Sequence, residues 1–577
     1  MRFPDHKSEE IRQNNRMLLV GMDSLPRRAR GAATPSEAMS YLCFAAVCIG
    51  DGRRRGTRLA SRDRERFTAA NVKDFGYGDF RVCNPKIPCD KLCFHSCASM
   101  MPAFPGVLMR KAITTLVFAT FAITTVVAAS ASERALVFTH VNVIDATGKP
   151  VQRDMTVVIT GQRITAVGRS GRVWIPRDAH TVEARDKYLI PGLWDMHVHE
   201  IFGAWLPRDE QIIPLLFVAN GITGVRDMGG DLEPLKKWRS DIAEGKMLGP
   251  RMVIAGPMLD GPVPQFPSSA PVSNAADGRR VVDELAKGGA DFIKIQSLIP
   301  RDGYFAAADE AKKLGIVFAG HVPDAVRAEE ASNAGQKSIE HLTGVFEGCS
   351  TIEDELMKQP RGPGRGRFLA TYDPVRAKVL IALFVKNQTW QVPTLYWEHG
   401  EWLIEQTNAG ADPLEKYAPV AWKQRTWPMF TSDITKHWSS DPLSDRERFV
   451  QKELDIVREM HRAGVPFLAG TDTAAGVRVY PGFSLHEELA LFVKAGFTPM
   501  EALQTATLNP SRYLGLPDTG TIEKDRRADL VLLDANPLDD IRNTRRIESV
   551  VLAGRYFSRA DLDTLLHRVE QAAAGSQ

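Results

Sequence analysis

Cysteine is nearly missing from most of this chain. Of seven in 577 residues, six stand before residue 100 (Cys43, Cys48, Cys83, Cys89, Cys93 and Cys97), and after Ser132 only Cys349 remains. The later part therefore has no internal disulfide, and its stability must come from a buried core. A long apolar span is also lacking. The longest uncharged apolar run, Ala112 to Ala128, is short and rich in Thr and Ala, which argues against a stable membrane anchor. Nor is there a basic stripe. Residues 1–108 carry 18 Lys and Arg against 11 Asp and Glu, but from Ser132 onward the chain is mildly acidic, which argues against nucleic-acid binding. The spacing Cys83-x5-Cys89-x3-Cys93-x3-Cys97, with His95 inside it, matches no common zinc module. With no sustained apolar period before residue 108, that segment reads as lying outside the fold.

What is present begins at Met109-Arg-Lys, a short basic start to the apolar run, which ends at Ala129-Ser-Ala131. This is the layout of a secretory signal peptide. It predicts export to a periplasm or the medium, with Met109 as the initiator and 109–131 removed. Composition beyond it is that of a globular protein, 44% hydrophobic and 25% charged over the whole chain, which excludes disorder.

Short β-branched runs fill 135–189, separated by turn signals, and similar runs return at Ala528–Asp534 and Ile547–Arg555. These two ends predict a small β-sandwich domain built from 132–190 and 511–557. Between them, strand and helix patterns alternate, as in parallel βαβ units. Eight candidate strands fall at 190–199, Gly221–Asp227, Arg251–Gly256, Asp291–Gln296, Ile316–His321, Ser338–His341, Thr389–Leu395 and Pro466–Asp472. The expectation is an α/β fold, a (β/α)8 TIM barrel over 191–510, interrupted by an aromatic insertion at about 397–450. Residues 558–577 read as a C-terminal tail.

In such a barrel, chemistry collects at the carboxyl ends of strands. The first candidate strand ends in His197-Val-His199, whose side chains share one face. The fourth carries Lys294, the fifth ends at His321, the sixth at His341 and the eighth at Asp472. Singly, each has a plain structural explanation; together at one end, they point to a divalent-metal site. Substrate contacts are assigned to Tyr396, past the seventh strand, and to Arg226 and His486. No arginine is clearly dedicated to a dipeptide carboxylate.

The motifs Pro-Gly-Leu-Trp-Asp-Met-His-Val-His199, Gly-His321-Val, Glu-His341-Leu and Gly-Thr-Asp472, with Lys294, resemble the amidohydrolase superfamily of metal-dependent hydrolases. The similar branch is that of imidazolonepropionase and Xaa-Pro dipeptidases. This resemblance implies two divalent ions, Zn²⁺ first among them. His197, His199 and Asp472 would hold one and His321 and His341 the other, with Lys294 bridging as a carbamate. It also implies attack by a metal-bridging hydroxide, with Asp472 as catalytic base and acid. The implied substrates are dipeptides of the Xaa-Pro type or N-acyl amino acids, with a cyclic amide or imidazolone-type ring, or a non-catalytic barrel scaffold, as alternatives. A homo-oligomer is compatible with this reading.

Overall fold

The computed structural model describes residues 134–201, 212–358, 364–408, 410–438 and 441–575. The expected leader at 109–131 and residues 1–108 lie outside the described residues.

The two ends of the fold meet in one sheet. The first end gives β1 (Leu136–Val143), β2 (Gln152–Thr160), β3 (Arg163–Arg169), β4 (His180–Glu183) and β5 (Tyr188–Pro191). The second gives β15 (Leu530–Leu533), β16 (Ile547–Leu552) and β17 (Arg555–Ser558). Their order is β17-β16-β15-β5-β1-β2-β3, with β4 beside β1. The join is antiparallel, from Leu530 opposite Pro191 to Leu533 opposite Tyr188. Both ends of the expected small β domain thus enter one eight-stranded sheet. The sheet curls so that β3 meets the segment before β15: Arg163 bridges Arg527, and the N–H of Ile164 donates to the carbonyl of Arg526. Phe138, Val157, Leu189, Leu530 and Leu532 pack as one apolar cluster drawn from both ends of the chain.

Parallel strands follow. β6 (Leu193–Val198), β7 (Ile222–Asp227) and β8 (Arg251–Ile254) form one sheet. A second sheet holds β9 (Met258–Asp260), β10 (Ser269–Pro271), β11 (Phe292–Ile295), β12 (Val317–Gly320), β13 (Ser338–Glu340) and β14 (Trp390–Val392), in the order β10-β9-β11-β12-β13-β14. The short β9 and β10 were not anticipated. The expected ring of eight ladders is therefore not continuous. The seventh strand is cut to three residues by a helix starting at Leu395. The eighth, 466–472, makes only isolated bridges, Gln391 to Phe467 and Val198 to Thr473. Backbone bonds still tie it to both neighbours: Leu468 donates to Gln391, Met196 to Ala469, and Asp472 to His197 at 2.8 Å. It lies so close to β6 that a Cβ on Gly470 would sit 2.7 Å from that of His197. Asp472, with φ +57, then turns out of extended geometry, and beyond it, among the described residues, only Thr473 still pairs with this strand, bridging Val198 and accepting from the N–H of His199.

Helices cover the strands. α1 (Ile213–Ala219) is buried on all sides. α2 (Ala275–Gly288) starts at Asn274, which accepts from the N–H groups of Ala276 and Asp277, and stops at left-handed Gly289. α3 (Arg301–Leu314) packs against it. The insertion opens with α4 (Leu395–Trp402) and ends in α5 (Leu443–Ala463). After the last site segment comes α6 (Phe483–Lys494). The chain closes on α7 (Arg559–Ala574), which replaces the expected tail. Its cap is Ser558, and its buried Leu562, Leu565, Val569 and Ala573 recur at helical spacing and face α1.

Candidate metal centre

His197 and His199 end β6; Lys294 sits on β11; His321 follows β12; His341 follows β13; Asp472 ends the eighth strand-like segment. All six had been singled out, and five of them meet in the measured contacts. His197 Nε2 lies 3.3 Å, and His199 Nε2 3.1 Å, from Asp472 Oδ1. His341 Nε2 lies 3.9 Å from the other oxygen, Oδ2. The ring of His341 is 4.6 Å from that of His197 and 4.9 Å from that of His321. Lys294 is buried and feels the charges of Glu340 and Asp472.

Each histidine commits Nδ1 to a protein partner. His197 meets Glu340 at 3.0 Å, His199 the carbonyl of Gly229 at 2.8 Å, His321 the hydroxyl of Ser297 at 2.8 Å and His341 the hydroxyl of Thr394 at 2.6 Å. This leaves Nε2 as the atom for a metal, and fixes each ring. Glu340 is itself held by Arg226 Nη2, 3.0 Å from each of its oxygens. Facing this acceptor, His197 is assigned its proton on Nδ1.

Burial drives His197 well below the usual imidazole pKa, so it is neutral. Its Nε2 lone pair then faces a carboxylate oxygen. Both atoms are buried without a hydrogen-bond partner, and so is Lys294 Nζ. Two acceptors facing at that distance repel unless a cation lies between them. The donor set therefore fits a divalent ion, and His197, His199 and Asp472 are close enough to share one. Burial opposes protonation of His199, but Asp472 and Asp227 outweigh it and raise its pKa. Burial lowers Lys294 to about 8, which brings the neutral amine within reach at ordinary pH.

Two expected substrate contacts are corrected. Arg226 is completely buried, with Nε on the carbonyl of Met196 and Nη1 on Ser338 and Tyr513. It braces Glu340 beneath the site and cannot meet a substrate. His486 is buried on α6 with Nδ1 on Thr544, and burial takes its pKa down to about 3. It joins the body of the fold to the returning chain. Tyr396 is half-buried, its hydroxyl 3.5 Å from the carbonyl of Arg478.

Several functional groups escaped sequence reasoning. Glu340, Ser297 and Thr394 orient three of the rings. Asp195 accepts from the N–H and hydroxyl of Thr471 and from the N–H of His197, clamping β6 to the Asp472 segment. Burial raises Asp195 to about 7. Glu340 and Asp195 stood inside the quoted motifs, so a signal was present; Ser297 and Thr394 offered none.

The profile described as "Amidohydrolase family" matches residues 188–556. The chain belongs to the amidohydrolase family. It is a hydrolase acting on carbon–nitrogen bonds, which sets aside the scaffold alternative. Among relatives, the ochratoxinase of Aspergillus niger is 24% identical over 466 residues, covering 69% of this chain and 81% of that protein. The imidazolonepropionase of Shouchella clausii is 21% identical over 447 residues, covering 69% and 84%. A crystal structure of a Xaa-Pro dipeptidase with bound methionine in its active site is similar with a TM-score of 0.55 and 21% identity, covering 74% of this chain and all of that one.

Proposed function

We propose that this amidohydrolase is an exported enzyme that cleaves amide bonds of dipeptides, Xaa-Pro types first, or of N-acyl amino acids, using two divalent ions, Zn²⁺ foremost. The observation carrying this reading is the arrangement of Nε2 atoms against the two oxygens of Asp472, with every Nδ1 already committed. His197 and His199 with Asp472 would hold one ion, His321 and His341 the other. Lys294, buried and reachable as a neutral amine, would take up CO2 as a carbamate with loss of one proton and offer its oxygens as further ligands. When bound, such ions polarise a carbonyl and make water nucleophilic near neutral pH. Asp472 would accept the proton of the attacking water and return it to the leaving amine. Tyr396, near the same mouth, would donate to a substrate carbonyl or carboxylate. The Arg226–Glu340 pair keeps His197 in one tautomer throughout.

A screen of dipeptides, N-acyl amino acids and lactams against the metal-loaded chain tests the substrate class. Turnover of linear amides is expected. Activity on lactams alone would favour the second reading, hydrolysis of a cyclic amide or imidazolone-type ring, which the similarity to imidazolonepropionase supports. Metal analysis should give near two equivalents, falling towards one in Lys294→Ala; a value near one in both would defeat the bridge.

A further inference from the structure

The seat of His341 has an unusual construction. Its partner Thr394 is the N-cap residue of α4, and threonine at that place normally turns its hydroxyl onto the free N–H groups of the first turn. Here it makes no such cap bond, because its Oγ1 is held by His341 Nδ1 at 2.6 Å. Thr394 also has φ +47, a left-handed backbone that a β-branched residue resists. The cap is supplied from elsewhere. Glu488, from the middle of α6, accepts from the N–H of Leu395 at 3.1 Å with one oxygen and from the N–H of Tyr396 at 2.8 Å with the other. Glu488 is completely buried. Burial raises its carboxyl to about 8, but both oxygens accept from first-turn N–H groups at the helix start, so the contact is directional whichever form is present.

We infer that Glu488 is a positioning residue for His341: by capping α4 from outside, it frees the Thr394 hydroxyl and pins the turn that aims it at the imidazole. The inference rests on His341 facing a metal, as proposed above. Without the Glu488 contact, Thr394 can relax to an ordinary capping geometry, take the helix N–H groups itself and release His341. Tyr396 would shift with the same turn, so substrate affinity is coupled to metal seating.

The test measures Zn²⁺ affinity by chelator competition, and the visible spectrum of the Co²⁺-loaded full chain. In Glu488→Ala, one metal equivalent is expected to weaken about tenfold while the other keeps its affinity. The Co²⁺ spectrum should change, and KM should rise. Glu488→Gln, which keeps one acceptor oxygen but sets an amide NH2 against the second N–H, should show a smaller loss at the same equivalent; where the alanine variant does not fold, no loss in Glu488→Gln would overturn the inference. Thr394→Val should weaken the same equivalent, and the Thr394→Val/Glu488→Ala pair should lose no more than Thr394→Val alone. Additive losses, or unchanged metal affinity in folded Glu488→Ala, would overturn the inference. His341→Ala separates the two levels. If it leaves metal binding intact, the proposed site fails; if it weakens metal binding while Glu488→Ala does not, only the relay through Thr394 fails.

Discussion

His197 is oriented by a carboxylate in a buried network and His199 by a backbone carbonyl, whereas His321 and His341 are oriented by neutral hydroxyls. On the first side Glu340 grips His197 and is gripped by Arg226, while Asp195 ties the same strand to Thr471. On the second side Ser297 and Thr394 each supply one hydroxyl. A carboxylate on Nδ1 raises the basicity of the opposite nitrogen and locks the tautomer, whereas a hydroxyl can rotate and act as donor or acceptor. The first side is therefore preorganised by partners that only accept, and the second is adjustable. The first metal equivalent should bind the more tightly.

The sharpest way to break this contrast is at Asp472, the residue both sides share. Asp472→Asn should lower kcat/KM by about 10³-fold, because proton transfer is lost along with a metal-facing oxygen; a fall below tenfold would remove it from the chemistry. Glu340→Gln comes next. It should weaken the tighter metal equivalent by about 10- to 100-fold, and chemical denaturation should show a loss of about 3 kcal/mol, because Arg226 stays buried without its counter-charge. Ser297→Ala should cost less than Glu340→Gln in metal affinity and leave denaturation almost unchanged. If the order of these two reverses, the contrast between the sides is wrong.

His486 gives the smallest effect and a baseline outside both sides. Burial depresses it to about 3 in the folded chain against about 6.5 in the unfolded one. The unfolded state thus binds the extra proton between those values, so stability falls as pH drops from 6.5 towards 3. Thermal melts of His486→Asn should show a shallower fall across that window than the parent chain; an identical slope would mean that His486 is not held neutral.

Much of the site was legible in the sequence because its residues sit in or close short apolar runs of strand length, and several such runs end in a polar residue. His197, His199, Lys294, His321, His341 and Asp472 could be found that way. Arg226 was legible as a strand-end charge but not as a brace, since its partners Glu340, Ser338 and Tyr513 come from distant parts of the chain. His486 sat beside a site motif and yet faces Thr544 across the fold. Family membership and the α/β alternation held. How the strands of the two ends pair was not legible, because pairing is a choice among edges that periodicity cannot rank.

Local pattern thus determined which segments are strands or helices and which polar groups sit at their ends, since these depend on side-chain alternation and neighbours in sequence. Tertiary structure alone decided which nitrogen each histidine offers, which carboxylate orients which ring, and that a glutamate of α6 caps α4. Those outcomes depend on hydrogen-bond partners brought together from far along the chain, at distances set by packing.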